Sequence, residues 1–210
     1  SSKYAGDYDP DTQADLVLAL MDHVGVERAH LVAHSMGSLI ALTVAQRAPE
    51  RVGRVVLAGA WVYEDQVPWS LRASRTPGMG ELIFGLWYAE NLDWRFTLSF
   101  YEPSRWITEE VMDRSKAALA LPGARATALQ TIRDLDLAQR QLDYGRVTAP
   151  VQLVYGRDDQ VARPPYGERL AGQLPHAELA ILPQCGHFPM LERMHEFNGI
   201  VLDWLAEDER

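Results

Sequence analysis

The sequence predicts an α/β chain in which a mainly parallel sheet of about four strands is split by a long helical insertion. Three observations carry this. His30-Leu31-Val32-Ala33 reads as a short buried strand that runs straight into His34-Ser35-Met36-Gly37 and then a helix pattern, so Ser35 stands at a sharp strand-to-helix turn. Two later apolar runs, Val151-Gln152-Leu153-Val154-Tyr155 and Leu179-Ala180-Ile181-Leu182, each lead through a glycine to an ionisable residue. Between the serine and these runs, residues 61–146 show helical periodicity and weak strand signals.

The elements follow in order. Asp11 or Thr12 can cap a first helix, in which Leu16, Val17, Leu20, Met21 and Val24 form one apolar stripe. Gly25 suits the position just past its end. After the strand at residues 30–34, Leu39, Ile40, Val44 and Ala45 recur at helical spacing from Met36 until Pro49. Arg54-Val55-Val56-Leu57-Ala58-Gly59 reads as a second strand. Aromatic residues then cluster, among them Trp61, Tyr63, Trp69, Trp87, Tyr88 and Trp106. Most are expected to glue helices to the core, and two or three to line a pocket. Gly78-Met79-Gly80 follows Pro77 and no strand, so it reads as a turn and not a phosphate loop. A third strand, a helix around Tyr166–Gln173, a fourth strand and a final helix from Glu192 to Leu205 complete the pattern.

The chemistry lies at the strand ends. A serine hydroxyl is a poor nucleophile until a base takes its proton. A tight strand-to-helix turn holds that hydroxyl clear of the sheet and needs small residues two before and two after it. Ala33 and Gly37 meet the need, with alanine where glycine is commoner. Gly156-Arg157-Asp158-Asp159 offers an acid, and Gly186-His187-Phe188-Pro189 offers a base. Of the six histidines, only His187 follows a strand through a glycine turn. His34 adjoins Ser35, but its side chain is expected to point away from the serine hydroxyl.

With nucleophile, acid and base in that order, the chain resembles the α/β-hydrolase superfamily, in the branch of small capped serine esterases and haloperoxidase-like enzymes. The resemblance runs from about Tyr8 to the end. It implies a hydrolase core formed by residues 1–60 and 147–210, and a helical cap over 61–146 that makes the acyl or leaving-group pocket. It implies Ser35 as nucleophile, His187 as base and then acid, and the backbone N–H of Met36 as oxyanion donor. The spacing Gly-x-x-Asp picks Asp159 over its neighbour Asp158; Glu64 and Asp65 lie where some relatives carry the acid. A serine at this position also separates the chain from the haloalkane dehalogenases and epoxide hydrolases, which use aspartate.

The family sheet has about eight strands, and four are legible here. The segment Ser1–Tyr8 resembles the loop that follows the family's fourth strand. The earlier strands, and the loop that supplies a second oxyanion amide, are therefore expected outside this chain. The strand at residues 30–34 would then have a bare edge without the lysine or proline that protects natural edges. Its expected partner is a missing N-terminal segment or a second chain. The implied activity is hydrolysis of a small carboxylic ester through an acyl-enzyme. Alternatives are C–C bond hydrolysis, lactone hydrolysis or perhydrolysis on the same scaffold, or a non-catalytic ligand-binding protein.

Composition narrows the partners. The chain has 210 residues, 47% of them apolar, which suits one core with an inserted subdomain. A net charge of −9 argues against nucleic acid, which needs a basic surface. The single cysteine, Cys185, excludes an internal disulfide and reads as a small apolar filler. No metal-ligand pair is present, so neither a metal nor a cofactor is expected. No run is long enough for a membrane span and no signal peptide opens the chain, so a cytoplasmic location is expected.

Overall fold

The computed structural model describes residues 6–86 and 92–206; Trp87, Tyr88 and residues 1–5 lie outside the described residues. The helix α1 (Pro10–His23) leads to strand β1 (Ala29–His34), helix α2 (Gly37–Arg47) and strand β2 (Val52–Ala58). The insertion follows, with α3 (Trp69–Ala73), α4 (Met79–Leu86), α5 (Leu92–Thr97), α6 (Pro103–Trp106), α7 (Glu109–Ala120), α8 (Ala124–Asp134) and α9 (Leu137–Arg140). The chain returns through β3 (Val151–Gly156), α10 (Pro164–Gln173), β4 (Ala177–Leu182), α11 (Pro189–Glu192) and α12 (Met194–Ala206). Among the described residues, 61–146 contain no strand.

The sheet order is β1-β2-β3-β4 and every pairing is parallel. Parallel neighbours need crossovers, and helices supply them. The alternation of side chains along β2 and β3 builds two cores. Val55, Leu57, Leu153 and Tyr155 join Leu39, Leu42 and Leu170 in one cluster. Val56, Ala58 and Val154 join Phe197 and Trp204 in the other. Helices α2 and α10 therefore cover one face and α12 the other. Both central strands are buried on two sides, which is why they read as continuous apolar runs.

Several local expectations are corrected. Asp9, not Asp11 or Thr12, caps α1: its carboxylate accepts from the amides of Asp11 at 2.8 Å and Thr12 at 3.1 Å. Pro10 takes the first helical position, where its missing N–H and fixed φ cost nothing. The apolar stripe of α1 divides in two. Ala14 and Met21 are buried and Val17 packs on the core, whereas Leu16, Leu20 and Val24 face outward. Strand β2 begins at Val52 because Val52 pairs with Ala29. The last helix is interrupted at Arg193, whose φ of −130° leaves the helical region. Gly78 makes the expected turn at φ +82°, but Gly80 belongs to α4. A Cβ on Gly80 would lie 2.2 Å from the Ser74 carbonyl, so this glycine permits close packing. No helix among the described residues is long and apolar enough to cross a membrane.

Among the described residues β1 is an edge strand, and Val32 on it is 54% exposed. An apolar residue on an unprotected edge invites strand pairing with another chain. Val32→Lys is therefore expected to reduce self-association in sedimentation velocity while leaving the far-ultraviolet circular dichroism unchanged. Identical sedimentation of the two proteins would show that the edge is not used.

Candidate active site

Each candidate residue sits just past the carboxyl end of a strand, where parallel sheets place their ligands. Ser35 follows β1 directly. Its φ of 54° is unusual for a residue with a side chain. The turn is held from both sides: the Ser35 amide donates to the Ala58 carbonyl at 2.9 Å, and the Ser35 carbonyl accepts from Ser38 and Trp61. The positive φ falls on the serine and not on Ala33, which stays in the strand. Alanine is therefore acceptable there, and a Cβ on Gly37 would meet its methyl at an ordinary 3.9 Å.

Ser35, His187 and Asp159 converge. The Ser35 hydroxyl lies 2.9 Å from His187 Nε2. His187 Nδ1 lies 2.8 Å from Asp159 Oδ2. The other carboxylate oxygen of Asp159 accepts from the amides of Val161 at 2.7 Å and Ala162 at 2.8 Å. Both His187 and Asp159 are buried. A buried carboxylate with all its oxygens engaged fixes the imidazole tautomer, with Nδ1 donating and Nε2 free to accept from a hydroxyl. This arrangement can draw a proton from Ser35 and return it to a leaving group. The amide of Met36, the oxyanion donor that the resemblance implies, has no acceptor among the described residues.

The competing acids are engaged elsewhere. Glu64 grips Arg75 through both oxygens. Asp65 pairs with Arg169. Asp158 caps the loop after β4: its amide donates to the Cys185 carbonyl at 2.9 Å and its carboxylate accepts from the Cys185 amide at 3.3 Å.

His34 packs against the loop that carries His187. Its ring packs 4.6 Å from that of His187 and 4.9 Å from that of Phe188. Its Nε2 donates to the His187 carbonyl at 2.7 Å. The ring turns toward the base-bearing loop because that carbonyl is there to accept. Burial, and then the neighbouring His187, lower its pKa and favour the neutral form.

Gly59 is a second residue that sequence reasoning missed. It has φ +51°, and a Cβ there would lie 3.0 Å from His187 Nδ1 and 3.3 Å from Asp159 Oδ2. A side chain there would crowd the His–Asp pair, and the positive φ itself favours glycine. Its signal in the sequence was a glycine ending an apolar strand. The segment after it is pinned by Gln66, whose Oε1 accepts from Val62 and Tyr63 and whose Nε2 donates to Ala60. Tyr155 and Tyr144 donate to the Ala60 and Val62 carbonyls.

A profile of the alpha/beta hydrolase fold matches residues 1–193. The chain belongs to the α/β-hydrolase family. It is 33% identical over 206 residues to a 2-hydroxy-6-oxononadienedioate/2-hydroxy-6-oxononatrienedioate hydrolase of Paraburkholderia phymatum, covering 94% of this chain and 69% of that one. It is 32% identical to a 2-hydroxy-6-oxo-6-phenylhexa-2,4-dienoate hydrolase of Comamonas testosteroni, covering 92% of this chain and 68% of that one. Among solved structures it is similar to a meta-cleavage product hydrolase from Pseudomonas fluorescens, with a TM-score of 0.80, 26% identity, and coverage of 99% and 74%.

Two outcomes are expected of this α/β-hydrolase. Asp159→Asn should preserve the fold yet lower kcat by about 10⁴-fold, the effect of asparagine at the acid position of a comparable triad. Turnover close to that of the parent would exclude Asp159 as the orienting acid. Burial, reinforced by Glu192, pushes the Cys185 thiol up to about 12. Iodoacetamide at pH 8 should leave Cys185 unmodified until the protein is unfolded, as mass spectrometry would reveal.

Proposed function

We propose that this α/β-hydrolase cleaves the carbon–carbon bond beside the 6-oxo group of a 2-hydroxy-6-oxodienoate. The observation that carries the reading is the aligned Ser35–His187–Asp159 chain of hydrogen bonds, in a protein similar along nearly its whole length to hydrolases of such dienoates. The sequence expectation of a carboxylic ester gives way to this alternative. Nucleophile, base and acid serve both reactions alike, so the motifs alone do not separate them.

The chemistry needs a leaving group that an ester already has and a ketone lacks. Moving the enol proton from the 2-hydroxyl to C5 gives a 2,6-diketone with a C3=C4 double bond. Ser35 Oγ then adds to C6 as His187 Nε2 takes its proton, and the C6 oxyanion gains the Met36 amide. Collapse breaks C5–C6. The electron pair spreads through C3=C4 to the C2 oxygen, so the departing fragment is a dienolate and not a localised carbanion. The proton returned by His187 makes it 2-hydroxypenta-2,4-dienoate. Water then releases the carboxylic acid from Ser35, and one water is consumed overall. Helices α3 to α9 stand in the chain where a pocket for the two substituents is expected.

The reading is tested by comparing 2-hydroxy-6-oxo-6-phenylhexa-2,4-dienoate with a p-nitrophenyl ester of similar size. Loss of the conjugated chromophore should give a kcat/KM at least roughly a hundredfold above that for the ester. Ser35→Ala should abolish nearly all of it without unfolding the protein. A higher kcat/KM for the ester would return the assignment to a carboxylic esterase.

A further inference from the structure

We infer that Glu192 is a positioning residue that ties the loop bearing His187 to residues 99–101 of the insertion. Its carboxylate stands between two backbones. One oxygen accepts from the Gly186 amide at 2.8 Å, and the other accepts from the Tyr101 amide at 2.7 Å. The adjacent His187 amide donates directly to the Ser99 carbonyl at 2.7 Å. Two successive residues of the base-bearing loop are thus fastened to the same short segment, one directly and one through a side chain.

The contact is too close to be incidental. A Cβ on Gly186 would lie 2.5 Å from the Ser99 carbonyl oxygen and 2.9 Å from both Phe100 Cα and the Tyr101 amide nitrogen. The rings continue the seam. Phe100 stacks on Phe188 at 4.9 Å, and Phe188 meets the edge of His187 at 5.5 Å. A shift of residues 99–101 must therefore carry His187 with it. An ionised carboxylate offers one oxygen to each of the two N–H groups, and such charge-assisted bonds are the stronger kind. Burial raises the pKa of Glu192, while the amides of Tyr101, Gly186 and Phe188 favour its charged form. Nearby Arg193 is paired with Glu196, so Glu192 is engaged by amides and not by that guanidinium.

The inference rests on the roles given to Ser35 and His187, and not on the dienoate. The test uses Glu192→Gln and Glu192→Ala, with Glu196→Gln as a charge control outside this seam. Three quantities are read per folded molecule, well below Tm: kcat, KM, and the rate at which a fluorophosphonate labels Ser35. Glu192→Ala should lower kcat and labelling together by roughly tenfold to a hundredfold, with KM within about threefold of the parent, because a small displacement of the base is felt in the chemical step. Glu192→Gln keeps one acceptor and faces an amide N–H₂ toward the second donor, so it should fall between. Glu196→Gln should match the parent.

A lowered Tm with unchanged labelling and kcat in both variants would reduce Glu192 to a purely structural role and overturn the inference. A raised KM at constant kcat would also overturn it, since that marks a substrate contact. If the alanine variant fails to fold, the glutamine variant decides. A parent that labels at Ser35 but leaves the dienoate intact sinks the substrate reading alone, whereas an unlabelled parent overturns both.

Discussion

The approach of the β3 and β4 loops sets the geometry of everything at this site. Gly156 ends β3 under the loop that carries His187, and a Cβ there would lie 2.1 Å from the Gly186 carbonyl and 2.3 Å from that of Cys185. No side chain fits between them. The absence of that one methyl lets the Asp158 amide reach the Cys185 carbonyl, and it brings Asp159 within hydrogen-bond distance of His187. On the other side, Gly59 leaves the backbone of the β2 loop flush against the same pair. The histidine is held in a slot with glycine walls. Its orientation is a property of backbone spacing before it is a property of any hydrogen bond.

The strained residues fit the same scheme. Among the described residues, only Ser35 and Gln184 adopt a positive φ without being glycine, and Gln184 lies three residues before His187. Such conformations cost of order 1–3 kcal/mol each and persist where the surroundings over-determine them. For Ser35 the surroundings are the Ala58 carbonyl and the amides of Ser38 and Trp61. The β2 loop that supplies Trp61 is itself immobilised by Gln66 and two buried tyrosines. Desolvation raises the pKa of both phenols, so they remain neutral donors to backbone carbonyls. Rigidity at the serine is therefore distributed over residues that never approach a substrate.

Much of this was legible in the sequence. Ser35, Asp159 and His187 each announce themselves locally, because a strand, a turn of small residues and an ionisable group occur together. The apolar runs at β2 and β3 are readable because both faces of those strands are buried. What escaped were contacts made across the chain. His34 turns toward the His187 carbonyl, and nothing beside His34 in the sequence announces that acceptor. Gly59 reads as the end of a strand, and Glu192 as the start of a helix, until the loops they touch are placed. The cap of α1 precedes Asp11 and Thr12 for a local reason: Pro10, with its φ already fixed, takes the first helical position and leaves Asp9 as the cap.

Among the described residues, the order of the strands in space is their order in the chain. A growing chain can add β2 to β1, then β3, then β4, with each new strand docking on the previous one and no earlier pairing reopened. Each of these strands extends the edge left by the one before it, in the direction in which the chain is synthesised. Among these four strands, Ser35 follows the first and His187 comes after the last. Until β4 and the loop after it are in place, the Ser35 hydroxyl lacks the His187 ring as its hydrogen-bond partner.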